Sequence, residues 1–308
     1  MSPSTTTKAF SWTSPSTNTA GTKTAFAARI GRELRSAAIA VSLCLAFAGM
    51  QLATSSALSA SETWNDLKPD VFGDRKIEVA SDIVTFNAPF RPDDQMAVPV
   101  SVQAKLSDGR TIRRVVIIID ENPSPVAADF KIGGQRTSVS LAAKFRLNRG
   151  TDMRAVIEAS DGQLYMASRH VKFAGGQAAC SAPPNGDPAE IAANMGKMKM
   201  HNVAASNGAG AAVSNIRRKA KLEVSHPNHT GMVLDQISLL YIPLRMVTNL
   251  DVEQDGEPVF SMQGSISLAQ DPSIEFDYRP NGGDKLTVHL RDSDATSWKR
   301  DFPIGPSA

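Results

Sequence analysis

The chain has 308 residues, with 33 Lys and Arg against 31 Asp and Glu, 42% hydrophobic residues and two cysteines. Such a chain can bury a sizeable core, and its cysteine count excludes a disulfide-stapled mini-fold, a zinc ribbon or an iron-sulfur site built on paired CxxC motifs. A formal charge of +2 gives no reason to expect nucleic acid as a partner.

Residues 1 to 28 are rich in Ser, Thr and Ala and lead into Arg29, Arg32 and Arg35, followed by the apolar run Ala37 to Met50. A basic patch before a short apolar stretch that fades into small residues is the pattern of an export signal. Cleavage is expected after Ala57 or Ala60, making 1–60 a leader and freeing the exported protein from the membrane. The run is shorter than the ~20 residues of a spanning helix, and an uncleaved anchor is the alternative. Cys44 sits mid-run behind the bulky Leu43, which argues against lipid attachment. The leader takes five of the 33 bases and one of the 31 acids, leaving 28 against 30, and Cys180 becomes the single thiol. In an oxidising compartment an unpaired thiol is either buried and inert or retained for its reactivity.

Ser61 to Leu67 reads as a short helix capped by Ser61 and stopped by Pro69. Eight short, β-branched and often alternating segments follow: Ile77–Val79, Ile83–Asn87, Val98–Leu106, Arg113–Asp120, Ala127–Ile132, Val139–Leu147, Met153–Ala159 and Tyr165–Phe173. Turn formers such as Asp108-Gly109, Asn122-Pro123, Asn148-Arg149-Gly150 and Asp161-Gly162 separate them. This predicts an immunoglobulin-like β-sandwich over 61–174. From Gly175 to about Ser214 the composition shifts to Gly, Ala, Ser, Pro and Asn without alternation, predicting a flexible arm and linker over 175–214. The β pattern resumes in Ala220–Val224, Ile237–Val247, Leu250–Gln254, Val259–Gln263, Ser265–Leu268, Ser273–Tyr278, Lys285–Arg291 and Ser297–Phe302, predicting a second sandwich over 215–308. The expected fold is all-β: two immunoglobulin-like sandwiches joined by a flexible linker.

Gly175-Gly176 lacks the remaining glycines and the helix of a phosphate cradle, and no GxSxG or HExxH motif occurs, so an enzyme is poorly supported. Cys180 follows a glycine pair and leads into Pro183-Pro184, among small residues that offer it no bulky apolar cover. It is therefore expected to be exposed and mobile, able to form a covalent adduct and pass between partner sites. An incidental or interchain-pairing cysteine is the plainer alternative. His226 with His229, and Met195, Met198 and Met200 with His201, are weak hints of a metal, copper above all. Methionines in such a stretch more often pack against a neighbouring domain.

Several residues carry a family resemblance. Trp64, Phe72-Gly73, Ala88-Pro89, Val98-Pro99-Val100, Asp120-Glu121-Asn122-Pro123, Asp161-Gly162 and Val171-Lys172 leading to Gly175-Gly176 and Cys180 resemble a SoxY domain. His226-Pro227 through Thr230-Gly231-Met232 resembles the His-Pro-Met-x-Thr-Gly loop of SoxZ. Over residues 61 to 305 the chain resembles the fused SoxYZ-like carriers associated with quinoprotein dehydrogenases. The resemblance implies a periplasmic, non-enzymatic carrier with no cofactor, in which Cys180 holds sulfur intermediates covalently and Gly175 and Gly176 make the arm flexible. Its implied partners are periplasmic sulfur-oxidation enzymes, as in thiosulfate oxidation, or a quinoprotein dehydrogenase with its cytochrome. The arm departs from the family's terminal Gly-Gly-Cys-Gly-Gly: it is internal, and Gln177-Ala178-Ala179 parts the glycines from the thiol. The other readings are a β-sandwich module assisting a quinoprotein alcohol dehydrogenase, and a copper-handling protein.

Overall fold

The computed structural model describes residues 55–203 and 217–304; up to residue 54 the expected leader lies outside them. Strands β1 (Ile77–Val79), β2 (Val84–Asn87), β3 (Val98–Lys105), β4 (Ile112–Ile119), β5 (Val126–Ile132), β6 (Ser138–Phe145), β7 (Thr151–Ala159) and β8 (Leu164–Val171) form the first half. β9 (Met198–Val203), β10 (Arg218–Val224), β11 (Val247–Gln254), β12 (Glu257–Gly264), β13 (Ser273–Tyr278), β14 (Lys285–Asp292) and β15 (Ser297–Pro303) form the second. Alternation does what it predicts in β3, where Val98, Val100, Val102 and Ala104 are buried on one face.

The all-β sandwich architecture holds, and the halves are joined more closely than a linker would join them. The strands lie in two sheets that both run through the two halves, one ordered β1-β8-β7-β4-β5-β12-β11-β14-β15 and the other β2-β3-β6-β13-β10-β9. At the seam β5 pairs antiparallel with β12, from Ile132 opposite Phe260 to Ala128 opposite Gly264. In the other sheet β6 pairs with β13 around Ala142 and Glu275. Each half thus supplies the hydrogen-bonding edge that the other would leave bare. One apolar cluster runs between the sheets through both halves, with Phe130 edge-on to Phe260 at 5.7 Å and Phe260 edge-on to Phe276 at 5.1 Å. Asp277 of β13 ties the seam by accepting from Arg136 (2.5 Å), the Ser140 amide (2.7 Å) and Arg217 (3.0 Å). Gly133 is required there: a Cβ would come within 1.9 Å of the Pro258 carbonyl oxygen.

Helix α1 (Ser55–Phe72) is longer than expected, running past both Ser61 and Pro69. Proline costs one helical N–H, but it stands in the last turn, and the helix ends when Gly73, at φ +65°, donates to the Pro69 carbonyl at 2.8 Å. Tertiary packing carries the helix: Trp64 and Phe72 pack with Val116, Ile118, Val156 and Met166 of the nine-stranded sheet. The Arg154 guanidinium lies 4.6 Å over the Trp64 ring while binding the buried Asp120 carboxylate.

Two predicted strands are corrected, and so is the flexible linker over 175–203; its residues 204–214 lie outside the described residues. Ser265 to Leu268 is a turn, because the Ser265 hydroxyl accepts from the Ser267 amide and the Ser265 carbonyl from the Leu268 amide. Ile237 to Val247 is mostly not a strand: Asp235 accepts from the Ile237 and Ser238 amides, and Leu239 adopts φ +57°, forming the tip of a loop. Within the expected linker, residues 175–203 hold a 3-10 turn (Ala179–Ser181), helix α2 (Pro188–Asn194) and β9. Asp187 caps α2 by accepting from Ala189 and Glu190, and β9 completes the six-stranded sheet beside β10, with Met198 buried.

Candidate functional site

The expectation that Cys180 is exposed and mobile is overturned: the residue is 0% exposed. Its neighbours in sequence are small, as the composition said, but cover comes from elsewhere in the chain. The 3-10 turn seats it between the segment that leaves β6 and the His226–Thr230 loop of the second half. The Cys180 amide donates to Asn148 Oδ1 (3.3 Å), and the Thr230 hydroxyl donates to the Cys180 carbonyl (2.5 Å). One half therefore holds the amide and the other holds the carbonyl.

The rest of the turn is fastened as well. Gln95 Nε2 donates to the Gly175 carbonyl (3.0 Å), and Gln177 Nε2 donates to the Ser181 carbonyl (2.8 Å). Gly175 and Gly176 have φ of +96° and +90°, in the region glycine enters without steric cost. They bend the chain into this stowed turn. Asn148 is itself fixed, its amide donating to Asn122 Oδ1 (3.0 Å). The Asn122 side-chain amide in turn bridges the seam, donating to the Arg146 carbonyl (2.8 Å) and Ser267 Oγ (3.0 Å).

Arg146 is the charged group that acts on the thiol. Its buried guanidinium binds no carboxylate among the described residues; it donates to the carbonyls of Asn228 (2.8 Å), Leu268 (2.8 Å), Ile266 (3.2 Å) and Pro227 (3.3 Å). Burial pushes its pKa below the ordinary arginine value, against the pull of the thiol's charge. Burial pushes the Cys180 thiol up, and the Arg146 charge offsets only part of that. In the stowed turn the residue is a protonated thiol, which is neither a nucleophile nor a soft metal ligand.

The two histidines stand in the same loop. His226 is buried, accepts from the Asn228 amide through Nδ1 (3.0 Å), and turns an unpartnered Nε2 toward Asp292 at 3.6 Å, beyond hydrogen-bond range. Burial lowers its pKa to about 4, so it is neutral near pH 7 and forms no ion pair with Asp292. His229 is also lowered, by burial and then by the charges of Arg146 and Arg245. The methionines do not assemble with His201: β9 sends Met198 into the core and Met200 to the same face, while His201 lies on the opposite, exposed face beside Glu223. Among the described residues no three His, Cys, Asp or Glu side chains cluster as a metal site would require.

Cys180, Gly175, Gly176, His226 and Thr230 were all visible in the sequence. Arg146 and Asn148 were not singled out as site residues. Asn148 passes for a turn former, and the one signal for Arg146 is a base wedged between two buried apolar residues, Phe145 and Leu147.

The fold and site define a two-half β-sandwich with a stowed thiol where the halves meet. Comparison with known proteins gives the family. Residues 68–178 match the model of the sulfur oxidation protein SoxY and residues 209–303 that of the sulphur oxidation protein SoxZ. The chain belongs to the fused SoxYZ-like sulfur carriers. The SoxY match ends at Ala178, two residues before the thiol. The chain is similar to the solved sulfur carrier protein SoxY from Chlorobium limicola f thiosulfatophilum at 23% identity, over 39% of this chain and 98% of that one, with a TM-score of 0.33. A β-glycosidase from Bacteroides vulgatus is similar at 8% identity, over 72% of this chain and 24% of that one, with a TM-score of 0.21. No curated protein sequence matches.

Proposed function

We propose that this protein is a periplasmic, non-catalytic carrier that takes a sulfur group on Cys180 and alternates between a stowed and an opened turn. The observation that carries the reading is the way the turn is held. Cys180, the one cysteine among the described residues, is closed off by side-chain hydrogen bonds between its backbone and Asn148 and Thr230 rather than by a strand or a disulfide. Each such bond is worth about 1 kcal/mol net, so the closed state is reversible.

Opened, Cys180 regains the pKa of a free thiol, ~8.5, and a useful thiolate fraction. With a persulfide donor, the thiolate attacks the outer sulfur, forms a new S–S bond to Cys180 and releases the donor as its own thiolate; no outside oxidant is consumed. Closed again, the adduct is shielded from other thiols. The partners in this reading are the sulfur-oxidation enzymes with which SoxY and SoxZ proteins work, or a quinoprotein dehydrogenase with its cytochrome.

The test is intact-mass analysis of protein isolated from its own periplasm. A reducible sulfur adduct that is absent from Cys180→Ser supports the carrier. A thiol that is always free, with host sulfur-compound and alcohol oxidation unchanged by Cys180→Ser, sinks it. The burial of Cys180 favours one second reading in that event: an interaction module whose thiol is structural.

A further inference from the structure

The loop between Thr230 and Met246 is built like a finger and left uncovered. At its base His229 bridges to Arg245, and further out Leu234 bridges to Tyr241. Its tip is fixed from within: Asp235 Oδ1 accepts from the Ile237 and Ser238 amides and the Ser238 hydroxyl, and the Leu239 amide donates to the Asp235 carbonyl at 2.9 Å. Those bonds hold Leu239 at φ +57°, a conformation that costs a non-glycine residue on the order of 1–3 kcal/mol and persists only where its surroundings enforce it.

What the strained tip displays is apolar. Ile237 is 95% exposed, Leu239 and Leu240 are each 69% exposed and Tyr241 66%, flanked by the half-exposed Leu234 and Leu244. At ~150–200 Å² for a large side chain, the six present on the order of 600–800 Å². That reaches or passes the upper end of the ~300–600 Å² of the largest patch on an ordinary monomer, and it approaches the ~800 Å² that each partner contributes to a standard protein interface.

Both of the finger's charges are spent, Asp235 on its own turn and Arg245 on Asp292 of β14 at 2.8 Å. It lacks the free basic rim that seats an apolar loop on an anionic lipid surface. Thr230, at its root, is the residue that holds the Cys180 carbonyl.

We propose that this finger is a docking surface for the protein that acts on Cys180, a partner carrying an uncharged apolar groove beside the mouth that receives the thiol. The inference rests on the carrier reading for the partner's role and on the finger alone for the surface. Preorganisation of the tip lowers the ordering cost of docking, and Tyr241 is the anchor that such a groove would enclose. A body seated there pulls on the loop whose Thr230 keeps the turn closed.

The test places a photo-crosslinking residue at Leu240, and separately at the exposed Gln177 beside the thiol, in the full chain within its own host. One and the same foreign protein captured from both positions is expected. Leu239→Asp with Leu240→Asp should cut its capture from position 177 at least tenfold while the melting temperature stays unchanged. Capture of a second copy of this chain, of phospholipid, of proteins never captured from position 177, or of nothing at all overturns the proposal. So does capture from position 177 that the double substitution leaves intact. Intact mass of Cys180 in the same samples keeps the two ideas apart: a shared partner with no adduct defeats the carrier and leaves the docking surface standing.

Discussion

Replacing Thr230 with Val removes the hydroxyl that donates to the Cys180 carbonyl while keeping the shape of the side chain. The thiol reacts only after the turn opens, so its labelling rate reports the opening equilibrium. Opening about the glycine pair, with Gly175 still held by Gln95, breaks the bonds to Asn148 and Thr230, about 1 kcal/mol each, and uncovers Cys180 and Ala179, together about 2 kcal/mol at ~25 cal/mol per Å². The resulting ~4 kcal/mol slows labelling by roughly a thousandfold relative to a small free thiol at the same pH. Thr230→Val should recover about fivefold of that, the equivalent of one hydrogen bond. Thr230→Ser, which keeps the donor, should recover much less. Thr230 also accepts from the Met232 amide, so a thermal melt is needed to show that the body stays folded. The assay is the pseudo-first-order rate with a disulfide reagent at several reagent concentrations. Wild-type labelling at the free-thiol rate, or equal rates for the Val and Ser variants, would refute the latch.

Acid should destabilise the fold through His226. Its pKa falls from an unfolded ~6.5 to about 4 on folding, so between those values the unfolded chain binds more protons. Stability is therefore complete above pH 6.5 and falls by about 3 kcal/mol as pH drops toward 4. His226→Gln should flatten that slope in urea titrations, leaving the smaller part due to His229, whose pKa is shifted in the same direction. Asp277→Asn should cost about 3–5 kcal/mol, because it leaves the buried Arg136 without its counter-ion; a loss under 1 kcal/mol by chemical denaturation would contradict the seam. Gly133→Ala should lower the melting temperature sharply, since its Cβ meets backbone rather than a side chain able to move. Two chains divided between residues 203 and 217 and made together should copurify and melt in one transition, because β5–β12 and β6–β13 hold the halves without that connection; two separate melts would refute the shared sheets.

Local patterns in the sequence identified most of the strands. Val98 to Leu106, with period two, and Ser273 to Tyr278, bounded by turn formers, fall within two residues of their observed limits. Where the expectations failed, a distant partner decided. Met198 to Val203 becomes a strand because β10 offers an unpaired edge, a fact written in Lys219 to Val224 further along the chain. Ile237 to Val247 carries the apolar content of a strand, but Asp235 and the left-handed Leu239 turn the chain back at the loop tip, and of this stretch Val247 alone enters a strand, β11. Cys180 was legible as a lone thiol, and its exposure was not: the small residues beside it say nothing of Asn148, 32 positions earlier, or of Thr230, 50 positions later. The seam was hidden for the same reason, since sequence shows where strands lie but not which edges meet.

Sharing sheets also fixes when this protein can become safe from aggregation. Ala128 pairs with Gly264 and Leu141 with Phe276, contacts that close only after some 135 further residues have been made. Until then the amino-terminal half carries two bare strand edges over an apolar interior, the template on which chains pair wrongly. Keeping the chain unfolded, or holding it on a chaperone, until its second half arrives would remove that hazard.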